Sequence, residues 1–89
     1  MELQLKVVDD NNGHNVPYIM YFRIDNDKTI LDLKNEINKL NVLITDKSFT
    51  DYNLKIENLI ITSNTLTLYD AGIKNGSEII IDFYTFSYF

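Results

Sequence analysis

Apolar and polar residues alternate along much of the chain, and this spacing predicts β-strands. The stretches that we interpret as strands are Met1 to Val8, Val16 to Ile24, Tyr52 to Ile56, Leu59 to Ile61 and Ile79 to Tyr84. Polar turn residues separate them, such as Asn12-Gly13, Glu57-Asn58 and Asn75-Gly76-Ser77. The chain is therefore predicted to form a sheet of four to five strands.

One stretch repeats at helical spacing instead. The apolar residues that fall on one side of this helix are Ile30, Leu33, Ile37 and Leu40. Thr29 precedes them, where its hydroxyl can cap free N–H groups, and Asp32 supplies an acidic first turn. We predict a helix that begins at Thr29.

The order of these elements indicates the fold class. It runs strand, strand, helix, strand, short strand, strand, which predicts an α+β roll with one helix packed across a mixed sheet. Because the helix separates the first and last strands in sequence, these two strands are expected to pair in parallel at the centre of the sheet. We assign residues 1–84 to a single domain and residues 85–89 to an aromatic tail.

The alternation also divides the side chains of the sheet between two faces. The face packed on the helix is expected to carry Leu3, Leu5, Val7, Met20, Phe22, Ile24, Leu54, Ile56, Ile79, Ile81 and Phe83. The opposite face is expected to carry Gln4, Lys6, Tyr21, Arg23, Lys55, Ile80, Asp82 and Tyr84. Three of the eight cations of the chain lie on this second face, beside tyrosines and an isoleucine.

This composition suggests a binding surface, because Arg and Tyr are favoured in binding hot spots. The hypothesis is that this face binds a short acidic or amphipathic segment of another protein. The residues predicted to contact it are Lys6, Tyr21, Arg23, Lys55 and Ile80. The alternative is an ordinary solvated sheet face whose lysines extend over apolar neighbours.

The C-terminal segment places aromatic residues at alternate positions, namely Tyr84, Phe86 and Tyr88, as is typical of an extended strand. The segment either lengthens the last strand and covers a loop, or forms an exposed peptide that docks on a partner or a second copy. These three residues are further candidates for partner binding.

Composition and charge exclude several classes of protein. A net charge of −5 argues against a dedicated nucleic-acid binder. The absence of cysteine excludes disulfides and cysteine zinc sites. The first residues lack a signal-peptide pattern, and no apolar stretch approaches the roughly 20 residues that span a bilayer. We expect a cytoplasmic protein, or a nuclear one in a eukaryote, without a membrane or nucleic-acid partner.

Residues for catalysis or cofactor binding are not found in a recognisable pattern. His14 is the single histidine and lies in a polar turn, without the convergent partners that a metal or catalytic site needs. Glycines occur singly, so there is no phosphate-binding loop, and no serine stands in a Gly-x-Ser-x-Gly elbow. We predict that the chain is not an enzyme and binds neither a metal nor a cofactor.

Two segments resemble the ubiquitin-like (β-grasp) family. The family's helix start, Thr-Ile-x-x-Val/Leu-Lys-x-x-Ile, is similar to Thr29 to Ile37 (TILDLKNEI). The family's turn before the last strand, Leu-x-Asp-x-x-Ile, is similar to Leu68 to Ile73 (LYDAGI). The two segments stand in the family's order among the expected strands, and the resemblance covers nearly the whole chain. It implies a ubiquitin-like β-grasp domain.

The departures from the family restrict the function. Conjugated members end in Gly-Gly, whereas the corresponding positions here lie near Ser87 and Tyr88, so attachment through the C-terminus is not expected. The family's apolar recognition patch corresponds to Lys55, Ile80 and Asp82, which differ from it in character. The resemblance implies a non-conjugated adaptor that binds a protein partner non-covalently. The alternative is an accessory assembly component, such as a YukD-like protein of type VII secretion or a Hub-type splicing modifier.

Overall fold

The computed structural model describes residues 1–9, 17–41 and 52–83 of the 89-residue chain. Its elements in chain order are β1 (Glu2–Asp9), β2 (Tyr18–Asp25), α1 (Ile30–Asn41), β3 (Tyr52–Ile56), β4 (Leu59–Ile61) and β5 (Glu78–Phe83). The predicted elements are confirmed, with small shifts at the strand ends. The predicted first residue of the second strand, Val16, and the predicted last residue of the final strand, Tyr84, lie outside the described residues. Pro17 directly precedes β2, where its missing N–H removes no ladder bond.

The five strands form one mixed sheet in the order β2-β1-β5-β3-β4. β1 pairs antiparallel with β2 and parallel with β5. β3 pairs antiparallel with both β5 and β4. The predicted parallel pairing of the two terminal strands at the centre of the sheet is confirmed, as is the α+β roll with one helix. β2 and β4 form the two edges.

One apolar core lies between the sheet and α1. Its buried side chains are Leu3, Leu5, Val7, Met20, Ile24, Ile30, Leu33, Ile37, Tyr52, Leu54, Ile61, Leu68, Ile73, Ile79 and Ile81. Most of the predicted core face is among them, because every second residue of a strand points to the same side. Phe22 and Ile56 are only partly buried against this core. The side chain of Phe83 lies outside the described part of the structure.

Thr29 caps α1 as predicted, although the helix itself begins at Ile30. The Thr29 N–H donates to Asp32 Oδ2 at 3.0 Å, and the Asp32 N–H donates to Thr29 Oγ1 at 3.2 Å. This reciprocal pair is a capping box, which satisfies N–H groups that have no partner inside the helix. The bond from the Thr29 N–H, together with the Thr29 hydroxyl, holds the pKa of Asp32 below its ordinary value.

The buried side of α1 differs from the prediction at two positions. Leu40, assigned to the apolar side of the helix, is 51 % exposed, whereas Lys34, not assigned to that side, is 2 % exposed. The buried stripe consists of Ile30, Leu33, Lys34 and Ile37, at positions i, i+3, i+4 and i+7. Leu40 lies roughly 70° from the centre of this stripe at about 100° per residue. The stripe that packs against the sheet is therefore centred away from Leu40, and packing decides which residues of α1 are buried.

The turn before β5 fixes that strand against β1. Gly76 has a φ of 86°, a left-handed conformation that glycine adopts without steric strain. The Gly76 N–H donates to the Gln4 carbonyl at 2.7 Å, and Asn75 Oδ1 accepts the Gln4 N–H at 2.8 Å. The predicted tight turn at Asn75-Gly76-Ser77 is confirmed, and it holds β1 and β5 in the register on which the outer face of the sheet depends.

Candidate protein-binding surface

The strand register places five side chains in a single line on the sheet face away from α1. Val8 lies opposite Ile19 of β2 and Ile80 of β5. Lys55 of β3 lies opposite the same Ile80 and opposite Ile60 of β4. The line therefore crosses all five strands. We call Ile19, Val8, Ile80, Lys55 and Ile60 the cross-strand row.

The cross-strand row is mainly apolar and accessible from solvent. Ile19 and Ile60, at its two ends, are 43 % and 46 % exposed. Val8, Ile80 and Lys55, between them, are half-buried. The face thus presents a strip of aliphatic side chains interrupted by one ammonium group. Contiguous exposed apolar surface with a polar border is typical of a protein-interaction site.

Lys6 lies next to this row and is paired within the domain. It lies opposite Tyr21 of β2 and Glu78 of β5, and its Nζ is 3.1 Å from Glu78 Oε2. An exposed pair of this kind contributes little stability, but it offsets the charge of Lys6. The sequence hypothesis placed Lys6 among the cations of this face and did not include this ion pair. Glu78 was missed because it precedes the predicted strand start at Ile79.

Arg23 and Lys55 are the other two cations of the predicted site, and they lie far apart. β1 and β5 separate their strands, so three strand spacings alone place them about 14 Å from each other. Among the described residues, neither of them forms an ion pair. The three cations share one face of the sheet, but the structure does not bring them into the single cluster that the sequence suggested.

The sequence did not predict every residue of this surface. Val8, Ile19 and Ile60 were left out of the candidate site, because alternation assigns a face but not which residues of neighbouring strands lie side by side. The pairing register, once known, aligns them with Ile80 and Lys55. The remaining candidates, Tyr84, Phe86 and Tyr88, lie outside the described residues.

A shallow groove of about 520 Å³ lies along β1 and β2, beside Gln4 and Arg23. Its lining residues are Gln4, Leu5, Lys6, Tyr21, Phe22, Arg23 and Gly76. Gly76 leaves space beside Gln4, since nothing lies within 4 Å of the position that a Cβ would occupy there.

A buried polar cluster lies on the opposite side of the sheet, against α1. Lys34 Nζ donates to Asn64 Oδ1 at 2.6 Å and lies 5.4 Å from the centroid of the Tyr52 ring. The Tyr52 hydroxyl donates toward the Lys34 carbonyl at 3.3 Å and Asn38 Oδ1 at 3.2 Å. Burial raises the pKa of Tyr52, and the charge of Asp9 adds to this effect. These bonds tie α1 to β3 and to the turn at Asn64.

Within residues 1–9, 17–41 and 52–83, no three His, Cys, Asp or Glu residues lie close enough to hold a metal ion. No helix in these ranges is long and apolar enough to cross a membrane. His14 lies outside them. The expectations that the chain is not an enzyme and binds no metal or cofactor therefore stay predictions.

Comparisons of the sequence with protein-family models and with curated proteins find no match. Solved structures, in contrast, match in fold. The C-terminal ubiquitin-like domain of mouse tubulin-specific chaperone e has a TM-score of 0.74 at 16% identity, covering 100% of this chain and 93% of that chain. Ubiquitin from Caldiarchaeum subterraneum has a TM-score of 0.72 at 15% identity, covering 99% of this chain and 100% of that chain.

A third structure agrees with these two. The C-terminal ubiquitin-like domain of human 2'-5'-oligoadenylate synthetase-like protein has a TM-score of 0.73 at 19% identity, covering 97% of this chain and 87% of that chain. Identities this low carry no functional assignment, but the agreement extends over nearly the whole chain and includes the single helix and the mixed sheet. The chain has the ubiquitin-like β-grasp fold.

Proposed function

We propose that this domain is a protein-interaction module that binds its partner non-covalently through the cross-strand row. The observation that supports it is the cross-strand row itself, in which four aliphatic side chains and Lys55 form a line across all five strands of the sheet. Ubiquitin-like domains generally mediate protein interactions, and the fold is typically non-enzymatic. The function is therefore assigned to a surface rather than to a pocket.

The row also indicates the length of a matching partner segment. Crossing five strands takes four spacings of about 4.8 Å, or about 19 Å in total. A helix that rises about 1.5 Å per residue covers this distance in about 13 residues. An amphipathic helix of three to four turns, lying across the strands, is long enough to contact both Ile19 and Ile60.

The charge in the row indicates the chemistry of that segment. Lys55 interrupts the aliphatic strip and forms no ion pair with any described residue. A partner carboxylate beside it gains a charge-assisted hydrogen bond, while apolar partner side chains cover Val8 and Ile80. The proposed ligand is thus an acidic amphipathic segment, and the groove beside Arg23 offers a second anchoring point.

The test begins with affinity capture from the native cell, which identifies the partner, followed by titration of the purified partner segment. Ile80→Asp is expected to weaken binding at least tenfold, since it places a carboxylate in the apolar strip. Lys55→Glu is expected to weaken binding similarly, by repelling an acidic segment. Tyr69→Ala is the matched control, because Tyr69 is 71 % exposed but lies in the turn at residues 68–72, outside the cross-strand row.

Two results decide the proposal. If Ile80→Asp keeps a native spectrum and still binds as tightly as the unchanged chain, the cross-strand row is not the binding surface. If Tyr69→Ala weakens binding as much as Ile80→Asp, the row is not the specific site. The assembly roles in type VII secretion or splicing, the cytoplasmic location and the absence of nucleic-acid and membrane partners all stay predictions.

A further inference from the structure

β2 forms one edge of the sheet and has few of the features that usually protect an edge, since Arg23 and Asp25 are its only charged residues. It is eight residues long, and its pairing with β1 continues without a bulge from Tyr18 to Asp25. It contains neither lysine nor proline. The other edge strand, β4, has only three residues. A long, regular and accessible edge is a template for pairing with a further strand.

The hydrogen bonds around β1 show which backbone groups of β2 point away from the sheet. Gln4 and Lys6 direct backbone groups toward the turn before β5, since the Gln4 carbonyl accepts from Gly76 and the Lys6 N–H donates to Ser77. In an antiparallel pair, hydrogen-bonding direction alternates along each strand. The odd residues of β1 therefore bond to β2, and the bond from the Asn26 N–H to the Met1 carbonyl at 2.9 Å agrees with this.

It follows that Met20, Phe22 and Ile24 bond to β1, whereas Ile19, Tyr21 and Arg23 direct their N–H and C=O groups outward. We call this set of outward groups the open edge. No described residue pairs with it. Ile19 is 43 % and Tyr21 72 % exposed, so the open edge is accessible to another strand.

We propose that the occupant of the open edge is a second copy of this chain, paired antiparallel about a two-fold axis at Tyr21. Tyr21 then lies opposite Tyr21 of the second copy, and Ile19 lies opposite Arg23 of the second copy. Three such pairs exchange about six N–H···O bonds. The two five-stranded sheets become one continuous sheet. This dimer uses the outward backbone groups of β2, whereas the partner surface proposed above uses side chains on one face of the sheet. The two surfaces meet at Ile19.

Charge does not oppose a second copy at this edge. The chain has 13 acidic and eight basic residues, so two copies repel each other over most of their surfaces. The segment from Tyr18 to Ile24 contains no carboxylate and a single cation, Arg23. In the proposed register Arg23 lies opposite an isoleucine rather than opposite its own image. The open edge is thus a part of the surface where two acidic copies approach without like charges face to face.

A groove beside the edge supports the same register. It has a volume of about 600 Å³ and runs between β2 and α1. Ile24 is the one apolar residue among its described lining residues, and the polar ones are Arg23, Lys28, Asp32, Asn35, Glu36 and Lys39. Tyr18 of the second copy lies opposite Ile24 in this pairing, on the side of the sheet that faces α1. A tyrosine suits such a groove, because its ring is apolar and its hydroxyl can bond to polar walls.

Sedimentation equilibrium of the full chain, from micromolar to millimolar concentration, tests the proposal. The unchanged chain is expected to show a reversible monomer–dimer equilibrium that strengthens as salt screens the repulsion between acidic copies. Tyr21→Pro removes an outward N–H without removing a bond to β1, and it is expected to leave the chain monomeric with a native spectrum. Tyr21→Thr, which keeps that N–H, is expected to retain dimers. Tyr18→Ala is expected to weaken them about tenfold.

The register is tested with single cysteines, because the chain has none of its own. Tyr21→Cys is expected to form disulfide-linked dimers under mild oxidation faster than Leu59→Cys, an exposed control on β4. Ile80→Asp is expected to dimerise normally, which separates this proposal from the cross-strand row. A chain that stays monomeric at millimolar concentration, or a Tyr21→Pro variant that dimerises like the unchanged chain, overturns the proposal.

Discussion

Lys34 shows how the core of this domain accommodates a charged residue. It occupies a buried position of the apolar stripe of α1 and is 2 % exposed. Its ammonium donates to Asn64 and lies over the ring of Tyr52, whose hydroxyl bonds in turn to the Lys34 carbonyl. A buried charge without such partners costs several kcal/mol. Helical spacing indicates the position, but only these tertiary contacts explain why a lysine fills it.

The Tyr52 hydroxyl is the member of this cluster that is simplest to remove. Tyr52→Phe keeps the buried ring and removes the bonds to the Lys34 carbonyl and Asn38. We expect the free energy of unfolding to fall by about 1 kcal/mol, the usual contribution of such a hydrogen bond. Urea unfolding measures the change, and Tyr21→Phe is the control because Tyr21 is 72 % exposed. Equal stability of the two variants would contradict this account.

The raised pKa of Tyr52 predicts how stability responds to alkali. Because burial favours the neutral phenol, the folded chain holds this proton at pH values where the unfolded chain releases it. The stabilisation is complete below the unfolded pKa of about 10 and is lost as pH rises above that value. Unfolding measured at increasing pH is expected to show a smaller alkaline loss for Tyr52→Phe than for the unchanged chain. Parallel curves would contradict the assignment.

At the scale of an element, the start of α1 is fixed by local chemistry. The bonds between Thr29 and Asp32 form within four consecutive residues, so the sequence alone was sufficient to predict the Thr29 cap, although the return bond from the Thr29 N–H to Asp32 was not predicted. The far end of the helix depends on its environment, and there the prediction for Leu40 was wrong. Local signals specify where this helix begins, and packing decides which of its apolar residues are buried.

The capping box is expected to contribute measurably to stability. Thr29→Ala removes the hydroxyl that accepts the Asp32 N–H, and we expect a loss of about 1 kcal/mol in the free energy of unfolding. Thr29→Ser keeps a hydroxyl and is expected to retain most of the stability. Chemical denaturation monitored by circular dichroism compares the two. A serine variant as unstable as the alanine variant would show that the methyl group, and not the cap, matters.

At the scale of the whole molecule, the sequence predicted the fold better than the surface. Period-two and helical spacing identified the elements, and the order of the elements predicted the parallel pairing of the terminal strands. The same spacing could not show that Val8, Ile80 and Lys55 stand side by side, because that depends on the register between three strands. It also could not show that Glu78 offsets the charge of Lys6. A surface formed by residues of several strands could therefore be identified only from the structure.

The sheet also predicts how protection from hydrogen exchange is distributed over the molecule. β1 and β5 lie inside the sheet, with paired strands on both sides, so the amides of Val7 and Ile79 are expected to exchange slowly. In the edge strand β2, protection is expected to alternate. Met20 and Phe22 bond to β1 and are protected, whereas the N–H of Tyr21 points away from the sheet.

Exchange measured residue by residue by NMR separates the monomer from the dimer within one experiment. At low concentration, the amides of Tyr21 and Arg23 are expected to exchange faster than those of Met20 and Phe22. At high concentration, pairing of two open edges is expected to slow Tyr21 and Arg23 selectively, while Val7 stays unchanged. Uniform protection along β2 at low concentration would contradict the outward direction of these groups. If protection along β2 alternates at every concentration, the outward direction of the Tyr21 and Arg23 groups is supported, but the dimer is excluded.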